Sequence, residues 1–272
     1  MNPKVASLLG LFGLLGLLAW GGCAAVPEPA KPPAVSFANP MVQNIVPDDP
    51  VPVFRKVFPD KNRPVRRDPL ETTPEFAARV AALGVSGTYV FEIPPEQCHV
   101  LADADHGIYF IGSKDYYPDS YAAVEPGLYG ITVTEFDEPP YAIQGVNKYG
   151  IAYEETKYES VEYKLRLANL SALPPVVLGR DEAVGWNCFG LRVRTDDAGF
   201  RQRLKEGKVG LAVRVRIDDL SRVAVGGNYN RNTFNLATKS YTTDYLPVTL
   251  LEVWIVDTST QLSIFHWAPA SP

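Results

Sequence analysis

"VTLLEVWIVD" (Val248–Asp257), followed by "TSTQ" (258–261) and "LSIFHW" (Leu262–Trp267), closes the chain with its plainest strand pattern. β-Branched and aromatic residues dominate both runs, and the short polar run between them supplies a turn, so the stretch reads as a β-hairpin. Val253 and Ile255, with the facing Leu262 and Ile264, alternate with Leu251, Trp254 and Phe265, which puts apolar side chains on both faces. A strand that is apolar on both sides has to be covered on both sides. The expectation is therefore an interior strand with Trp254 buried, covered by a helix or by a second sheet.

Upstream segments repeat the period of two. "SVEYKLRL" puts Val161, Tyr163, Leu165 and Leu167 on one face, which favours strand over helix. "YGITVTEF", "GLRVRT" and "VGLAVRVRI" behave alike, and "GTYVFEI" and "GIYFIG" flank the turn-forming "ADADHG". Two helices interrupt the strands. In "LETTPEFAARVAALG", Thr73 is placed to cap, Pro74 suits the first helical position, and Phe76, Val80 and Leu83 form one apolar stripe that should cover a sheet. "DDAGFRQRLKEG" reads as a second, shorter capped helix. Strands and helices do not alternate as βαβ units. The expected fold of residues 68–272 is thus α+β, a mainly antiparallel β-sheet with one or two covering helices.

The other end of the chain is different. Val5 to Trp20 holds no ionisable group and is rich in Leu, Lys4 is the one early basic side chain, and small residues follow. That is the three-part layout of an export signal, and it falls short of the about 20 apolar residues of a spanning helix. Trp20-Gly21-Gly22-Cys23 resembles the lipobox of bacterial lipoproteins, with Trp20 standing where that box normally has an aliphatic residue. The resemblance implies a signal peptide at 1–22, a diacylglycerol and palmitate-type modification on the thiol of Cys23, and a membrane anchor. Ala24, rather than Asp, after the cysteine implies sorting to the outer membrane, facing the periplasm. The same layout also accommodates ordinary cleavage near Ala24 or Ala25, or an uncleaved anchor.

Residues 23–67 are proline-heavy, in "VPEPAKPPAV", "IVPDDPVPVF" and "NRPVRRDP". Proline locks φ and removes a donor, so this stretch reads as an extended tether, with Val53, Phe54, Val57 and Phe58 placed to lie against the domain surface. The formal net charge of −5 becomes −6 when Lys4 leaves with the signal, which argues against a nucleic-acid partner. With Cys23 acylated, Cys98 and Cys188 remain, and an even pair in an oxidising compartment reads as one disulfide. Two buried thiols too far apart to meet are the alternative.

Catalytic motifs are missing: there is no G-x-S-x-G, no phosphate-binding glycine loop and no H-E-x-x-H. Cys98, His99, Asp103, Asp105 and His106 offer mixed ligands, but their spacing matches no metal motif, so no metal or cofactor is expected. Glu135, Asp137, Glu138, Glu154 and Glu155 are carboxylates without a legible partner. Tyrosine is plentiful, with 14 in the chain. Tyr116, Tyr117 and Tyr121 in "DYYPDSY", and Tyr229 and Phe234 in "GGNYNRNTFN", are the candidates for a recognition edge, because aromatic groups with polar tips bury much area at low entropic cost. The reading is a lipid-anchored envelope protein whose domain binds or scaffolds a partner, a protein first. An envelope hydrolase and a glycan- or small-ligand-binding lipoprotein are the alternatives.

Overall fold

A computed structural model describes residues 37–59, 65–117, 130–146, 149–169, 172–181, 186–217, 220, 224–225, 229–233 and 237–269. Its strands in chain order are β1 (Asn39–Pro40), β2 (Gly87–Ile93), β3 (Cys98–Asp103), β4 (Ile108–Tyr117), β5 (Ile131–Val146), β6 (Ala152–Leu167), β7 (Leu178–Asp181), β8 (Trp186–Arg194), β9 (Val209–Ile217), β10 (Ala224–Val225), β11 (Tyr229–Thr233), β12 (Ala237–Asp257) and β13 (Leu262–Trp267). Three helices accompany them: α1 (Pro50–Val57), α2 (Thr73–Ala82) and α3 (Ala198–Lys205).

The expected closing hairpin forms, and its first strand is the spine of the molecule. β12 runs 21 residues. Its second half pairs antiparallel with β9 on one side and β13 on the other, so it is an interior strand. Its first half pairs with β11 and β10 antiparallel and with β6 in parallel. β9 pairs on with β2, and β6 with β5, giving a nine-stranded mixed sheet. A second sheet, in the order β3-β4-β8-β7, is wholly antiparallel. Among the described strand pairings the β6–β12 pair alone is parallel, so the mainly antiparallel α+β expectation stands, with that exception.

Both faces of β12 are covered. Val253 and Ile255 lie in a core that also takes Leu211, Val213 and Phe91 from the large sheet and Ile111, Leu191 and Val193 from the small one. Trp254 and Val256 point the other way, into a smaller cluster with Ala212 and Ile45. Trp254 is fully buried, as its alternation with Val253 and Ile255 requires. The second strand departs from the expected faces: Phe265, expected on the Trp254 side, joins the larger core with Val253 and Ile255, and Leu262, expected on the Val253 side, is exposed at the turn. A register shift between Ile255 and Val256 sets that arrangement, because Ser263 rather than an apolar residue ends up opposite Val256.

The covering elements depart from the sequence reading. α2 forms with a capping box one residue earlier than expected: Thr72 accepts from the Glu75 backbone, and Glu75 accepts from the Thr72 backbone. Its stripe of Phe76, Val80 and Leu83 is only half-buried, and none of its residues is fully buried. The helix that enters the core is α1, inside the stretch read as tether. Val53, Phe54 and Val57 are buried there, with Phe54 stacked on Tyr163 at a ring separation of 4.4 Å. The prolines misled for a definable reason. Pro50 and Pro52 stand in the first helical turn, where backbone N–H groups have no intrahelical acceptor, and Asp49 caps the Val51 N–H at 2.9 Å. Ahead of α1, the chain crosses the outer face of the large sheet, with Ile45 in the Trp254 cluster and Asp48 bonded to Val90 in both directions. The folded region therefore begins well before residue 68. The third helix, α3, is capped by Asp197 and contributes Phe200, edge-on to both Tyr109 and Phe265.

Two truncations separate a folded segment from a tether. Trp254→Ala and Phe54→Ala should each cost about 3–5 kcal/mol, read by chemical denaturation. An unchanged unfolding midpoint for Phe54→Ala would return residues 50–57 to the tether.

Candidate functional site

The long hairpin of β5 and β6 is the most distinctive surface. Its two strands have 16 residues each, which is roughly 50 Å at about 3.3 Å per residue. At its root Ile131, Val133, Val161, Tyr163 and Leu165 are buried, while from Tyr141 to Tyr153 every described side chain is exposed or half-exposed. The hairpin thus leaves the core and continues as an arm. β5 is the last strand of the sheet, and Pro139 and Pro140 fall in its register shift between Glu138 and Tyr141. Prolines are tolerated at such an edge because it needs no donors, and they blunt it against unwanted strand pairing.

A polar lattice fixes the root. The Thr132 N–H donates to Asp115 Oδ2 at 2.7 Å, and its hydroxyl donates to Glu162 Oε1 at 2.9 Å. Lys164 Nζ lies 2.6 Å from Asp115 Oδ1 and 3.1 Å from Glu162 Oε1, and the Thr243 hydroxyl donates to Glu162 Oε2 at 3.1 Å. Strands β4, β5, β6 and β12 are tied in this way. Burial alone would lower the Lys164 ammonium, but Asp115 and Glu162 outweigh it and raise its pKa. Beside the lattice, on the core side of β12, Asp244 is buried opposite Tyr163, and its Oδ1 has no hydrogen-bond partner among the described residues. Desolvation pushes this carboxyl up to about 6 from its ordinary 3.8.

Five tyrosines mark the arm and the adjoining part of β12: Tyr141, Tyr149, Tyr153, Tyr158 and Tyr241. The pairing places Tyr141, Ile143 and Tyr153 on one face and Tyr158, Tyr241 and Val146 on the other. Tyr141 donates to Glu159 Oε1 at 2.6 Å, and Glu135, Asp137, Glu138, Glu154 and Glu155 all belong to the same two strands. The carboxylates that lacked a partner in the sequence therefore line a tyrosine-bearing ribbon. At its base, a groove of about 450 Å³ between Pro94–Gln97 and Val133–Asp137 carries Glu96, Glu135 and Asp137.

Of the candidate recognition residues, three have a described backbone. The backbone of Tyr116 and Tyr117 ends β4 in the small sheet, opposite Cys188 and Asn187. Tyr229 lies in β11, opposite Tyr241, and so joins the sheet that carries the arm. Cys23, Tyr121 and Phe234 lie outside the described residues. The arm tyrosines had a signal in the run "YAIQGVNKYGIAYEETKY" (141–158), where four tyrosines alternate with small and acidic residues.

The expected disulfide is absent: Cys98 and Cys188 are free thiols. They stand on β3 and β8 with β4 between them, a separation of roughly 9–10 Å at two strand spacings, beyond the about 7 Å limit for a bond. Burial pushes the Cys98 thiol up to about 12, which keeps it protonated and unreactive. Cys188 instead lies 3.6 Å from His99 Nε2. His99 reaches it by lying across Gly112, where a Cβ would come within 2.7 Å of the imidazole. His106 bonds Asp103 at 2.8 Å in the turn ended by Gly107 at φ 63°, and His266 bonds Glu252 at 2.9 Å beside Trp254. Among the described residues no three His, Cys, Asp or Glu side chains converge to hold a metal ion, and no helix is long and apolar enough to cross a membrane. No protein-family model matches the chain, and neither a curated protein nor a solved structure shows significant similarity to it.

Two substitutions test this root. Lys164→Met leaves Asp115 and Glu162 facing each other without their cation and should cost about 2–3 kcal/mol, with faster amide exchange in β5. Asp244 acts in the opposite sense. Its folded pKa lies above the unfolded value, so the native state takes up a proton between about pH 4 and 6, and stability falls as pH rises through that window. Asp244→Asn should therefore gain on the order of 2 kcal/mol over the parent at pH 7 and nothing at pH 4, measured by urea unfolding at both.

Proposed function

We propose that this is a lipid-anchored bacterial envelope protein whose domain offers the tyrosine-lined arm to a protein partner. The observation that carries the reading is where apolar surface is exposed. Of the 14 exposed large hydrophobic side chains among the described residues, eight lie on β5, β6, their connection and the facing part of β12. Concentrated aromatic surface of this kind marks interaction sites. Tyrosine suits it because the ring buries a large area while the hydroxyl keeps a hydrogen bond. The interleaved carboxylates add a preference for a partner that presents basic or hydroxyl groups.

The anchor supplies the location. A thiol lipidated at Cys23 holds the domain at the membrane, and the Lipobox-like Trp20-Gly21-Gly22-Cys23 with Ala24 behind it supports an outer-membrane, periplasm-facing position. The carboxylate-lined groove below the arm is the feature that favours the alternative of an envelope hydrolase or a glycan binder. A catalytic role there would also need a nucleophile or a paired acid and base across the groove.

Cys23→Ser should accumulate as an unprocessed precursor with altered membrane fractionation, and normal processing with unchanged lipid labelling would remove the anchor from this reading. For the arm, a photo-crosslinking phenylalanine at Tyr241 in the native envelope should capture one defined protein. Tyr141→Ser with Tyr158→Ser should reduce that capture at least tenfold at unchanged thermal stability. Capture of glycan alone would transfer the site to the glycan-binding alternative.

A further inference from the structure

Every residue of β5 from Val133 to Asp137 lines the groove at the base of the arm. Consecutive strand residues point to opposite faces of a sheet. A depression that touches five in a row therefore runs along the edge of the strand and not over one face. That edge is open: β5 pairs with β6 and with no other strand among the described residues. The open stretch has two defined ends. Thr132 closes one, where its outward N–H donates to Asp115 Oδ2 at 2.7 Å. Pro139 and Pro140 close the other, because neither has an N–H to offer. Residues 133–138 stand between them, roughly 20 Å of strand at about 3.3 Å per residue.

Edge and lining together specify an occupant. An open strand edge presents backbone donors and acceptors at the interval of every second residue, which a second extended polypeptide matches. Charge narrows the choice further. Glu96, Glu135 and Asp137 line the groove, and no basic side chain does. Asp137 accepts from the Ser160 hydroxyl, whereas the carboxylates of Glu96 and Glu135 have no partner among the described residues. Lys114 does not neutralise them: its Nζ bonds the backbone carbonyl of Glu96 at 2.6 Å. Alternation puts Glu135 and Asp137 on one face of β5 and Phe136, half-buried beneath the Arg55 guanidinium, on the other. A strand added here meets carboxylates with every second side chain and an aromatic ring with those between.

We propose that the 133–138 edge of β5 binds an extended segment of a partner protein that alternates Lys or Arg with apolar residues, adding it to the large sheet as a further strand. This contact goes beyond the arm surface and needs neither the arm tyrosines nor the lipid anchor, so it stands or falls separately from both.

The test uses the full chain in detergent and a fluorescein-labelled hexapeptide of three lysine–valine repeats, read by fluorescence anisotropy at near-physiological salt. Glu96→Gln with Glu135→Gln should weaken binding at least tenfold at an unchanged unfolding midpoint. Two further probes carry methyl groups on the lysine backbone nitrogens or on the valine ones. A strand turns alternate amides to its neighbour, so one of these probes should keep its affinity and the other lose at least tenfold. The parent hexapeptide should also slow amide exchange across residues 133–138 at least fivefold. Methylated probes that bind alike mark ionic adsorption and overturn the proposal. No measurable binding of the parent hexapeptide, affinity unchanged by the two glutamines, or protection confined to other strands overturns it as well. Protection of residues 133–138 by a cell-wall oligosaccharide and not by the hexapeptide does the same, and gives the groove to the glycan-binding alternative.

Discussion

Twelve consecutive residues of β12, Ala237–Val248, pair in parallel with Thr156–Leu167 of β6, and the architecture follows from that pairing. Two parallel neighbours cannot be joined by a tight turn, since the chain has to return to the starting end before the second strand begins. Here the return contains β7, β8, α3 and β9 to β11. Half of the small sheet and the strands that flank β12 on its other side are thus contained in the crossover. The two sheets are consequently stitched together by the chain itself, and the core between them, with Leu211 and Val213 from one and Leu191 and Val193 from the other, forms where the crossover passes.

The same pairing makes the arm a usable surface. A two-stranded ribbon standing in water is marginally stable. β12 and β11 widen the lower part of this one, and the Asp115–Thr132–Glu162–Lys164 lattice clamps its root to the small sheet. Charged groups in that lattice are partnered on each side, which is the condition under which half-buried charge supports a structure. Tyrosines carried on such a support lose little further entropy on contact with a partner, so their position matters as much as their number.

Asp244 and α1 show the cost of building the root close to the core. The carboxyl lies opposite Tyr163, on whose ring Phe54 of α1 is stacked, and the Arg55 guanidinium lies over Phe136 nearby. Protonation relieves the buried charge without disturbing that stack, which is why the molecule is expected to tolerate mildly acidic conditions better than neutral ones at this position.

Local pattern was enough to identify most strands, the Asp197-capped helix, the closing hairpin and the burial of Trp254. Period-two alternation and turn chemistry act over a few residues, and those residues are adjacent in the chain. The same local view misjudged residues 50–57, because proline disfavours helix interiors yet suits the first turn, and only the docking of Phe54 on Tyr163 separates the two cases. It also left open whether Cys98 and Cys188 are bonded or too far apart to meet, since their separation depends on β4 lying between their strands. The arm was hidden for a similar reason. Its tyrosines and carboxylates were visible as residues, but whether a half-apolar strand faces a core or water is set by what packs against it. Beyond Glu138 and Glu159 the core ends, and long-range pairing alone carries the ribbon onward.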